Sequence, residues 1–135
     1  MIYLIDDKKS RQNSYGWSDE RFENIKCLII RIVGEEDLNK HIDQIIAPGN
    51  IILIHDSFLD GNSNVFNEFK LAIDNMPEIQ VCHFSGSYCG RCVEGRVAYL
   101  SPYLVYTNLE TFINKHNNNN TNFQYLAFGE NLEKE

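Results

Sequence analysis

The sequence predicts an α/β domain on an open, doubly wound, five-stranded parallel sheet, and three observations predict it. Five apolar runs of strand length, rich in Ile, Val and Tyr, occupy residues 2–5, 27–33, 51–54, 79–84 and 97–100. Such runs read as strands buried on both faces. Helical patterns separate them, and the connections are too long for hairpins, so the strands are expected to run parallel with right-handed crossovers and helices on both faces.

The first run, Ile2 to Ile5, meets Asp6 and Asp7 at once. Residues 8–26 are the weakest stretch: Gly16 interrupts them and only Phe22 and Ile25 supply an apolar face, so a loop followed by a short helix is expected. After the second run, Leu38, His41, Ile42, Ile45 and Ile46 recur at helical spacing until Pro48 and Gly49 stop the element, predicting a helix over 35–46. After the third run, Val65, Phe66, Phe69, Ala72, Ile73 and Met76 share one helical face before Pro77. Residues 86–96 lack apolar periodicity, which predicts a short helix or loop there. A last helix is carried by Val105, Leu109, Phe112, Ile113 and His116. Residues 1–116 thus read as the domain. Residues 117–135 read as an Asn-rich linker and a tail, flexible or docked through Phe123, Tyr125, Leu126 and Phe128.

A chain of 135 residues suits a single core and one site. The formal charge of −7 repels phosphate backbones and anionic membranes, so nucleic acid and membrane surfaces are not expected partners. No apolar stretch approaches the roughly 18 residues of a membrane span, and the acidic start is unlike a secretory leader. The expectation is a cytoplasmic protein whose four cysteines are reduced.

Ligands of open α/β sheets bind beyond the carboxyl ends of the strands. There the sequence places Asp6 and Asp7, then His55, Asp56 and Ser57, then Ser85, Gly86 and Ser87, then Ser101 and Pro102. Three converging carboxylates repel one another unless a cation neutralises them, and Mg²⁺ held by Asp6, Asp7 and Asp56 is the natural candidate. A metal-bound Asp56 is then chemically able to attack an activated phosphoryl group. The plainer reading is that these aspartates cap loops and helices.

This order of parts resembles the receiver domain of two-component response regulators, whose fold is flavodoxin-like with strand order 2-1-3-4-5. The resemblance covers roughly residues 1–116. Asp6 and Asp7 match the family's acidic pair, Asp56 its phosphoacceptor, and Ser85 its switch hydroxyl. It implies Mg²⁺, a histidine-kinase-like protein as phosphodonor, and signalling through a protein partner. Ser101 stands where the family carries lysine, so the fixed cation is missing; Lys8, Lys9, Arg91 and Arg96 are the candidate substitutes. The family's aromatic position falls on Ala98, and Tyr99, one residue later, belongs to the other face of the strand.

Other constellations are weaker. Cys82, Cys89 and Cys92 offer an incomplete zinc pattern beside His83, which points opposite to Cys82 in a strand. The pair Cys89 and Cys92 also follows the fourth strand, not the early one that thiol redox chemistry favours. Ser85, Gly86, Ser87 and Gly90 lack a P-loop pattern, and no nucleophile elbow occurs. His55 is a candidate acid or base beside Asp56, and Tyr15 and Trp17 around Gly16 are aromatics that either mark an interface or pack over the sheet edge. The leading expectation is an atypical single-domain signalling protein, phosphorylated on Asp56 or binding its partner without phosphotransfer. The alternatives are a small metal-dependent enzyme working on a phosphoryl bond at the same edge, and a pure interaction module.

Overall fold

The computed structural model describes residues 1–61 and 63–133; Lys134 and Glu135, the end of the expected tail, lie outside the described residues. The strands are β1 (Ile2–Ile5), β2 (Ile29–Ile32), β3 (Ile51–His55), β4 (Gln80–Phe84), β5 (Cys92–Glu94) and β6 (Val97–Leu100). The helices are α1 (Lys9–Ser14), α2 (Asp19–Glu23), α3 (Glu35–Ile45), α4 (Asn64–Asp74), α5 (Pro102–Asn117) and α6 (Gln124–Phe128), with 3-10 turns at Phe58–Gly61 and Gly129–Glu133.

The six strands form one mixed sheet in the order β2-β1-β3-β4-β6-β5. The five expected strands are the five parallel ones, in the expected order. The sixth departs from expectation: residues 86–96 supply no helix but a three-residue strand, β5, antiparallel to β6 at the sheet edge. Gly95, at a φ of +65°, turns the chain between the two. Residues 8–26 depart too, folding as α1 and α2 where one loop and one helix were expected.

The pleat divides the core. Ile2, Leu4, Ile51, Leu53, Cys82 and Phe84 face a layer containing α5 and α6, in which Trp17, Tyr106, Phe112 and Leu126 are buried. Tyr3, Ile5, Ile52, Ile54 and Val81 face α3 and α4, meeting Leu38, Phe66, Phe69 and Ile73. Ser63 caps α4 through Phe66 N at 3.2 Å and donates to Glu35 at 2.8 Å, tying α4 to the start of α3. Only α3 and α4 are helices of the second layer, and β6 and β5 extend past α4, so Tyr99 remains exposed. Among the described residues no helix is long and apolar enough to cross a membrane.

The tail docks. Phe123, Leu126 and Ala127 are fully buried, and Phe123 stacks on Phe112 with centroids 5.7 Å apart. Asn108 donates to Leu126 O at 2.7 Å, fixing α6 on α5.

Candidate functional site

The strand pleat decides where each acid goes. Asp6 continues the alternation of Leu4 and reaches the α5 layer, where it is fully buried. There Arg11 grips both its oxygens, Nη2 to Oδ1 at 2.9 Å and Nε to Oδ2 at 3.1 Å. Tyr106 OH donates to Oδ2 at 2.6 Å and Lys8 N to Oδ1 at 3.0 Å. Burial pushes the Asp6 carboxyl up, but the Arg11 and Tyr106 hydrogen bonds outweigh it and hold the pKa below the ordinary value. Tyr106 is pushed well above its own, by burial and then by the adjacent charge of Asp6. Gln12 completes the site, donating to Asp6 O at 2.9 Å and accepting from Arg31.

Asp7 turns the other way. Its Oδ2 accepts from Leu59 N at 3.1 Å, holding Leu59 at the uncommon φ of +54°, while its Oδ1 is buried with no hydrogen-bond partner among the described residues.

Asp56 leaves β3 on the α4 side. Its Oδ1 lies 3.2 Å from His83 Nδ1, and Tyr88 OH donates to its Oδ2. An ionised carboxylate only accepts, so His83 Nδ1 carries the proton. Burial raises the Asp56 carboxyl, yet the His83 and Tyr88 hydrogen bonds, with the nearby charge of Lys70, hold it low. Tyr88 is pushed upward by burial and by Asp56.

The three acids therefore share a sheet edge without sharing a point. Among the described residues no group of three or more His, Cys, Asp or Glu side chains is arranged to hold a metal ion. Asp6 is saturated by Arg11 and Tyr106, and Asp56 by His83 and Tyr88, which leaves Asp7 Oδ1 as the one carboxylate oxygen of the three without a donor. As placed, they do not fit the expected Mg²⁺ pocket.

The other predicted residues are also accounted for. Ser85 turns its hydroxyl to its own loop, 3.1 Å from Ser87 Oγ. Ser101 caps α5, accepting from Leu104 N at 3.3 Å with Pro102 following at the first helical position. None of the candidate cations with a recorded partner pairs with Asp56: Lys9 pairs with Asp19, Arg91 donates to Ala127 O, and Arg96 to Met76 O and Ile79 O. The cation beside Asp56 is Lys70 of α4. His55 accepts from Ser57 N at 3.1 Å, and burial and then Arg11 lower its pKa, favouring the neutral ring. Ala98 is buried and Tyr99 exposed on the opposite face, as the strand period required.

Cys82 is buried in the α5 layer, whereas Cys89 and Cys92 are exposed, so the incomplete zinc pattern does not assemble among the described residues. Trp17 is core, its Nε1 donating to Tyr106 O at 2.8 Å, and Tyr15 stacks on Tyr106. Of the two alternatives for these aromatics the structure shows packing, Trp17 in the core and Tyr15 partly buried against it.

No protein family matches the chain, and no curated protein or solved structure matches it significantly. Sequence reasoning missed Arg11, Tyr106, His83 and Tyr88 as partners of the two acids. For Tyr106 and Asp6, a hundred residues apart, no local spacing carries the signal. His83 was identifiable only by pairing β4 against β3 and following the faces.

Proposed function

We propose that this chain is a receiver-like interaction module that acts through a protein partner and does not require phosphoryl transfer to Asp56. One observation carries the reading: both oxygens of Asp56 accept hydrogen bonds from the protein itself, from His83 and Tyr88. A carboxylate held by two internal donors loses them on attacking a phosphoryl group, and that loss is a barrier the chemistry must overcome. Ser101 agrees with it, since the position that would supply a fixed cation caps a helix instead. In this reading Asp56 is a structural acid that orders the β4–β5 loop.

A second reading, phosphoryl chemistry at the same edge with Mg²⁺ and a histidine-kinase-like donor, is favoured by a single feature, the buried and unpartnered Asp7 Oδ1. Such an oxygen costs free energy unless something meets it.

One titration separates the two. Beryllofluoride, which stands in for a phosphoryl group on a carboxylate, is added with Mg²⁺ to the natural protein and to Asp56→Asn while amide resonances are followed. The expected result is no saturable change that depends on Asp56. Saturable shifts reaching Ser85 and lost in the variant would establish the phosphoacceptor reading instead.

A further inference from the structure

Between α4 and the outer strands lies a cleft of about 400 Å³ whose features are independent of any phosphoryl chemistry. It exists because the sheet is wider than the helix layer on that side. The parallel register sets His83 directly beside Tyr99, and their rings stack with centroids 5.2 Å apart and planes 11° apart. Tyr88 meets the edge of Tyr99 at 5.5 Å and closes the end nearest Asp56. Val81 and Val97 line the same cleft from the two strands, and α4 contributes Lys70, Ile73 and Asp74. The volume falls in the range of small-molecule sites, and charged or ionisable side chains make up as much of the lining as apolar and aromatic ones.

The polar groups define a ligand. His83 Nδ1 is committed to Asp56, so Nε2 is the ring nitrogen left to meet a ligand. Lys70 lies over the Phe66 ring and makes no ion pair among the described residues. Arg96 spends Nη1 on the carbonyls of Met76 and Ile79 and has no carboxylate partner among the described residues. Asp56 is engaged by its own donors, so the two cations of the lining face one remaining acid, Asp74. The balance favours an anion.

We propose that this cleft binds a small ligand that combines a planar ring with one phosphate or carboxylate. The ring lies over Val81 and Val97 beside Tyr99 and shares a hydrogen bond with His83 Nε2, while the anionic group meets Lys70 and Arg96. The proposal stands apart from the reading of Asp56 above, because it needs His83 held in place and no reaction at the carboxylate.

The test is an amide-resonance titration of the full chain with adenosine and guanosine monophosphates, 4-hydroxyphenylacetate and inorganic phosphate, each added separately. At least one ring-bearing anion is expected to saturate below about 1 mM, with shifts centred on Lys70, His83 and Tyr99, and inorganic phosphate to bind at least about tenfold more weakly. A nucleotide response without an aromatic-acid response identifies phosphate as the anion, and the reverse identifies carboxylate. Lys70→Met and Tyr99→Leu replace side chains outside the core, and each is expected to weaken binding by about tenfold while the remaining spectrum stays native. The proposal is overturned if no ring-bearing probe saturates by about 10 mM, if the shifts fall outside the cleft, or if affinity is unchanged in both variants. Because no beryllofluoride enters this titration, its failure is separate from any failure of the Asp56 reading.

Discussion

Asp6 looks, in the sequence, like the first member of an acidic pair available for a metal, and its surroundings give it different work. A buried carboxylate gripped at both oxygens by Arg11 and again by Tyr106 fixes the start of α1 against α5. Asp6→Asn leaves Arg11 without its counter-charge and is expected to cost about 3 kcal/mol in urea unfolding, since a half-broken buried pair is worse than none. The sign of the pH dependence follows from the depressed pKa of Asp6. Its contribution is fully present above the unfolded-state value of about 3.9 and is lost as pH falls through the lower folded-state value. The variant should therefore show a flatter fall of stability below about pH 4 than the natural protein; an identical acid limb would show that Asp6 is not a stabilising acid. Nothing local in the sequence announces this pairing, because Arg11 and Tyr106 reach Asp6 only once α1 and α5 have packed on one face of the sheet.

At the scale of elements, β1, β2, β3, β4 and β6 and helices α3, α4 and α5 were legible because each carries its own apolar run or periodicity. The short pieces were not. β5 has three residues, two of them exposed, and no pattern of its own; it is a strand because β6 offers a free edge and Gly95 permits the turn. The tail was legible as apolar but not as helical. α6 is five residues long and is stable only as a cover for α5. Ending the chain at residue 121 removes buried Phe123 and Leu126 and bares Phe112. It should lower stability by about 4 kcal/mol or more, each large apolar side chain contributing about 1.5–3 kcal/mol, and chemical denaturation will measure it. Gly129 ends α6 at φ +59° and ψ −142°, where an added Cβ would collide with Asn108 Oδ1. Gly129→Ala should therefore cost about 1–3 kcal/mol by the same measurement, and an unperturbed midpoint would show that α6 does not depend on this turn.

Across the whole molecule, stability should be graded outward from the sheet centre. β1, β3 and β4 have neighbours on both sides and covered faces, whereas β5 is an antiparallel edge strand with two exposed side chains. Native-state amide exchange is expected to be slowest in β1 and β3 and fastest, among the strands, in β5; comparable protection in β5 and β3 would contradict this account of the edge. The same asymmetry creates the cleft, since one helix layer reaches β5 through α6 while the other ends at α4. By itself the sequence determined the α/β class, the five parallel strands and the edge at which the acids gather. These follow from hydrophobic runs and connection lengths, which are local quantities. Only the tertiary structure decided what the acids do there. Strand alternation sends Asp6 and Asp56 to opposite faces, and each then meets donors from segments distant in the chain. Their chemistry was settled by which helices and loops packed against each face, a property of the folded whole.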